Sequence, residues 1–142
     1  MEKPQLTEQA YLFLSEIKRW TKFLSIIGFI SIGFLVLFAL FFGTFLGGLS
    51  DITGSSISFP SVLVTIIYLL IALLYFFPVW FLFKFSTNLG KSLQSGNESE
   101  LTDAFSYLKL HYKYIGILTI IFLSIYLLFI IFGVVIAGIV TL

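Results

Sequence analysis

Three long apolar runs, separated by two polar stretches, set the pattern of this chain. The runs cover residues 23–48, 60–83 and 115–142. Each exceeds the ~20 apolar residues that an α-helix needs to cross a ~30 Å hydrocarbon layer. The surplus implies tilt, or ends that reach the headgroups. The polar stretch at 49–59, LSDITGSSISF, is short and rich in Gly and Ser. The stretch at 84–114 is longer and carries its own periodicity.

Two segments have the spacing of amphipathic helices. Within 6–22, Leu6, Ala10, Phe13, Ile17, Trp20 and, just beyond, Leu24 recur at intervals of three and four, one face of a helix. Thr7 is placed to cap it. Within 97–114, Leu101, Ala104, Phe105, Leu108 and Tyr112, followed by Ile115, form a second stripe. Asn97 and Glu100 have capping-box spacing. Acidic residues open this segment, and Lys109, His111 and Lys113 close it, as the helix dipole favours. Residues 84–95 extend the second run as a helix, and Gln94-Ser95-Gly96-Asn97 makes the turn of a helical hairpin. The expected fold is an all-α membrane protein with three transmembrane helices and two cytoplasmic-face amphipathic helices, forming one membrane domain over 1–142. The amphipathic segments are expected to lie on the membrane surface or pack on each other. A docking groove for a partner helix is the sharper alternative.

Composition supports lipid as the solvent. Hydrophobic residues are 59% of the chain and charged residues 11%, whereas a water-soluble domain carries about 25% charged residues. With no cysteine, disulfides, iron–sulfur clusters and thiolate catalysis are excluded. All eight Lys and Arg lie within 3–22 or 84–113. Basic residues stay on the cytoplasmic side, so the N-terminus and 84–114 are expected inside, and 49–59 and the C-terminus outside. Scarce Ala beside abundant Ile and Phe suggests an AT-rich bacterial genome, hence a multi-pass protein of the bacterial inner membrane. The first run is far longer than a signal-peptide core of ~7–15 residues, and the expectation is that it remains as a span. The Asn97-Glu98-Ser99 sequon falls on the inner side and is expected to be silent.

The runs hold no Asp, Glu, Lys, Arg or His, which removes the usual carriers of proton relays and voltage sensing. Their small residues point to helix packing instead: Ala39, Gly43 and Gly47 on the first run, and Gly133, Ala137 and Thr141 on the third. Crossing of spans one and three through these stripes is expected. On span two, Thr65, Tyr68, Ala72 and Tyr75 share a face expected to point inward. Pro78 is a kink site. Lys18, Arg19, Trp20, Lys22, Trp80 and Lys113 form an aromatic and basic collar suited to lipid headgroups. Leu6-Thr7-Glu8 and Leu101-Thr102-Asp103 echo each other as helix starts. Such starts are common, so coincidence outweighs an internal repeat.

No nucleophile–base pair, phosphate loop or metal spacing is present. His111, the only histidine, lacks the companions that catalysis requires. The chain is therefore expected to be no enzyme, to bind no cofactor, metal or nucleic acid, and to partner with the bilayer and with other membrane subunits or itself. A lipid-acting enzyme would have only His111 and Asp51 to work with. The favoured function is an accessory or scaffold subunit of a larger membrane complex. The alternative is a homo-oligomeric small channel or transporter, which would lack the polar pore rows such proteins use.

The runs LTEQAYLFLSEIKRWTKFLSIIGFISIG and YFFPVWFLFKFSTNLGKSLQSGNESELTDAFSYLKLHYKYIGILTI resemble a family of small bacterial integral membrane proteins known only as a domain of unknown function. The resemblance implies the fold outline and lends no activity or site residues.

Overall fold

The computed structural model describes residues 5–54 and 61–140. It contains three helices, α1 (Glu8–Thr53), α2 (Ser61–Ser95) and α3 (Glu98–Val140). All three are long and apolar enough to cross a membrane. At 1.5 Å per residue, the 46 residues of α1 extend about 70 Å, more than twice a hydrocarbon layer. The amphipathic segments are therefore not separate helices. Each continues an apolar run without a break.

Thr7 caps α1 by accepting the Ala10 amide at 3.2 Å, as the sequence predicts. The far end differs from expectation. The helix runs on through Asp51 and stops at Gly54, which takes the left-handed conformation that glycine adopts without steric cost. Residues 55–59 of the expected loop lie outside the described residues, as do Pro60 at the start of the second run and Thr141.

The α1–α2 seam follows heptad spacing. Leu14, Lys18, Thr21, Ser25, Gly28, Ile32, Leu35, Ala39, Phe42 and Leu46 are buried or half-buried at alternating steps of four and three. This 3.5-residue period is that of antiparallel helices coiling left-handed around each other. On α2 the matching positions include Thr65, Tyr68, Ala72, Val79, Leu82, Ser86, Leu89 and Leu93. Small residues set the closest approach. A Cβ on Gly28 would sit 2.8 Å from a Val79 methyl, and the Thr65 hydroxyl donates to the Ala39 carbonyl at 3.4 Å.

A second seam on α2 faces α3 but is shorter. Pro78, Phe81, Phe85, Asn88 and Ser92 repeat at three and four, and Glu100, Ala104, Tyr107, His111, Tyr114 and Leu118 answer from α3. Phe85, Leu89 and Ala104 form the buried core, with Leu14, Leu93, Leu101, Tyr107 and Leu108 packed around it. Beyond Pro78 this face of α2 carries bulky Leu74, Ile71 and Ile67, all exposed, and the seam ends. After Leu118 every described residue of α3 is exposed.

The expected crossing of spans one and three does not occur. Among the described residues, helix pairing joins α1 to α2 and α2 to α3. The small stripe of α1 is instead used by α2, which lies between the other two helices.

Candidate functional site

The three helices converge at Pro78 and Val79, adjacent residues that face different partners. Val79 meets Gly28 of α1. Pro78 is buried, and its carbonyl oxygen lies 2.7 Å from Nδ1 of His111 on α3. The proline ring also removes the amide that the Leu74 carbonyl would have accepted. Aromatic rings flank the junction: Tyr114 packs on Phe77 at 5.9 Å and on Phe81 at 6.4 Å. Tyr112 meets the His111 ring edge-on at 5.4 Å. Sequence spacing could not reveal this junction, because 33 residues separate the two partners.

The hairpin at the polar end holds this register. Gly96 has φ +68°, and its amide donates to the Ser92 carbonyl at 2.8 Å. Asn97 Oδ1 accepts from the Ser99 amide at 3.0 Å. Glu100 does not complete the expected capping box; its carboxylate accepts from the Ser95 hydroxyl at 2.9 Å. Thr102 is inside α3 and bonds back to the Glu98 carbonyl. The Leu101 segment is therefore no helix start, and its echo of Leu6 is not structural.

The collar residues separate into different environments. Arg19, Trp20 and Lys22 are exposed on α1, with Trp20 edge-on to Phe23 at 6.0 Å. Trp80 stacks on Phe76 and takes the Lys84 ammonium 5.1 Å from its ring centre. Lys18 is half-buried: its side chain lies across Gly90 of α2, where a Cβ would come within 2.8 Å of its Cε. Lys113 is exposed and sits two residues past His111. It is thus level with Phe76, about 12 Å along the axis from Lys84.

The small residues divide in the same way. Ala39 and Gly43 are buried against α2, while Gly47 is half-buried. Gly133 and Ala137 are exposed, and a Cβ on Gly133 would meet nothing within 4 Å. On span two, Thr65, Tyr68 and Ala72 turn inward as expected, but Tyr75 is exposed.

The apolar stripe of the first amphipathic segment also faces out. Phe13, Ile17, Trp20 and Leu24 are exposed, and Leu14, Lys18, Thr21 and Ser25 occupy the seam. Among the described residues no group of three His, Asp or Glu side chains could hold a metal ion.

No curated protein and no solved structure matches this chain. Residues 61–134, more than half of the 142, match a family of unknown function, DUF5362. The match spans all of α2 and most of α3, including both partners of the Pro78–His111 contact, and the chain accordingly belongs to DUF5362.

Proposed function

We propose that this chain is a non-enzymatic subunit of a larger membrane complex, seated in a bacterial inner membrane with its N-terminus in the cytoplasm. The three apolar helices and the placement of all eight basic residues support the membrane and the orientation.

One observation carries the partner. Phe13 and Ile17 are exposed on a part of α1 that projects beyond the apolar run starting at Phe23. Phe13 lies about 15 Å before Phe23 along a continuous helix. The headgroup region adds only about 5–8 Å on each side of the hydrocarbon core. An upright α1 thus carries Phe13 past the reach of lipid, and a contiguous apolar stripe in water marks a protein interface. A partner helix laid along Phe13 and Ile17 would cover it.

The test is a photo-crosslinking residue at position 13 or 17 in the full-length protein, in cells. A single crosslinked partner, also recovered stoichiometrically after gentle detergent extraction, supports the subunit role. Crosslinks to lipid alone remove it. A ladder of self-crosslinked species transfers the weight to a homo-oligomeric channel or transporter. The exposed outer half of α3, with Gly133 facing open space, is the observation that favours that second reading.

A further inference from the structure

We propose that the face of α1 lined by Leu12, Ser15, Glu16, Arg19, Trp20 and Phe23 binds a phospholipid whose headgroup carries both a phosphate and a primary ammonium, as in phosphatidylethanolamine. This rests on the membrane placement above, not on the partner subunit. These six residues line an open notch of about 730 Å³. Leu12, Glu16, Arg19 and Phe23 succeed one another at steps of four, three and four, so they share a face. That face is turned roughly a quarter-circle from the Phe13–Ile17–Trp20 stripe.

Depth and charge select the ligand. Arg19 precedes Phe23, the start of the apolar run, by four residues or about 6 Å, which is the headgroup level. Its guanidinium is suited to bidentate contact with phosphate oxygens. Glu16 lies about 4.5 Å farther out along the axis, just past the headgroup level, where only an ammonium that projects from the phosphate toward water would meet its carboxylate. An exposed Glu and Arg three apart on a helix commonly pair with each other. Here neither has an ion-pair partner among the described residues, so both charges are available to a ligand. Trp20 and Phe23, edge-on at 6.0 Å, wall the notch on its apolar side. Below it, Phe23, Ile26, Ile30, Phe34, Leu37 and Phe41 continue as an exposed track on the same face, along which acyl chains can lie. A purely basic collar would favour anionic lipid without discrimination. The carboxylate in the notch opposes that and favours a headgroup that brings its own cation.

Delipidated full-length protein is titrated separately with phosphatidylethanolamine, phosphatidylcholine and phosphatidylglycerol, and bound lipid is counted by native mass spectrometry. Phosphatidylethanolamine is expected to bind about fivefold more tightly than either other lipid, the equivalent of one near-surface charge contact. Phosphatidylcholine loses because its methylated ammonium has no proton to donate to Glu16. Glu16→Gln should erase the preference over phosphatidylglycerol, and Arg19→Gln should weaken all three lipids. Equal binding of the three lipids, or an unchanged preference in Glu16→Gln, overturns the site. Both side chains are exposed, and helical circular dichroism verifies that the variants fold. Flotation with vesicles tests the membrane placement separately: protein that floats without lipid preference overturns the site alone.

Discussion

The imidazole of His111 donates its Nδ1 proton to the carbonyl oxygen of Pro78 across 2.7 Å. A carbonyl can only accept, so Nδ1 must carry the hydrogen. The bond ties α3 to α2 beside the proline that interrupts the backbone ladder of α2. Among the described residues it is also the last polar contact between these helices before α3 stands apart. His111→Ala should lower stability by about 0.5–1.5 kcal/mol, the net value of one such hydrogen bond. His111→Asn places an amide N–H near the Nδ1 position and should recover part of the loss, whereas Gln, which extends its amide toward the Nε2 position, should not. Thermal unfolding in detergent, compared across the three variants, reads the order. Equal loss in all three would show that ring packing, not the bond, holds the junction.

Gly28 and Gly90 both lie at helix contacts, but their neighbours differ. A methyl on Gly28 would meet the two branched methyls of Val79 at 2.8 and 2.9 Å, and a β-branched side chain has little freedom to turn away. Gly28→Ala is expected to destabilise by about 1–3 kcal/mol through overpacking. Adding Val79→Ala should relieve it. At Gly90 the nearest atom is the flexible end of Lys18, which can move. There the helix-propensity gain of about 0.5–1 kcal/mol for Ala over Gly should leave Gly90→Ala near neutral. Denaturation midpoints in mixed detergent would separate the two sites. Similar losses at both would show that α1 and α2 are closest elsewhere.

Much of the fold is legible in the sequence: three apolar helices, the Thr7 cap and the turn at Gly96. The inward face of α2 at Thr65, Tyr68 and Ala72 is legible too, but the N-terminal part of the α1 seam is not. The apolar-stripe rule marks Phe13, Ile17 and Trp20 as one face, expected to lie on the membrane surface or to pack on the second amphipathic segment. In the structure these are exposed, and the seam holds Lys18, Thr21, Ser25 and Gly28. From Phe23 onward, where an apolar run has lipid as its solvent, apolar side chains gain nothing by turning inward, and small or weakly polar residues that permit close approach, such as Ser25, Gly28 and Ala39, decide the interface. The Ala39–Gly43 spacing shows that logic in the sequence, but not which helix uses it. The Pro78–His111 contact has no sequence signal, because it depends on the register set by the hairpin.

Orientation has a direct readout. Ile52 near the end of α1 is highly exposed, and Ser95 at the end of α2 is exposed as well. They lie at opposite ends of the α1–α2 pair. The chain has no cysteine, so single cysteines can be introduced without background. With basic residues retained inside, Ile52→Cys should react with a membrane-impermeant thiol reagent in intact cells. Ser95→Cys should react only after lysis. The reverse pattern would invert the topology, and labelling of both in intact cells would remove the membrane-spanning arrangement.

The hairpin turn offers the last test, because register across the α2–α3 seam depends on two adjacent residues. Gly96 at φ +68° is in a region where a Cβ costs about 1–2 kcal/mol. Asn97 caps α3 through the Ser99 amide, a contact whose loss costs about 1 kcal/mol. Gly96→Ala and Asn97→Ala should each destabilise the hairpin by about these amounts. Gly96→Asn should cost less, because Asn tolerates the left-handed conformation better than other side chains. A Cβ on Gly96 would meet nothing within 4 Å, so the penalty at that position is conformational and not steric. Both Ala variants should also speed amide hydrogen exchange at Leu101 and Ala104, beside the core, before exchange rises anywhere in α1. Uniform exchange along the chain would mean that the α2–α3 end does not open as a unit, and that the turn does not set the register which brings His111 to Pro78.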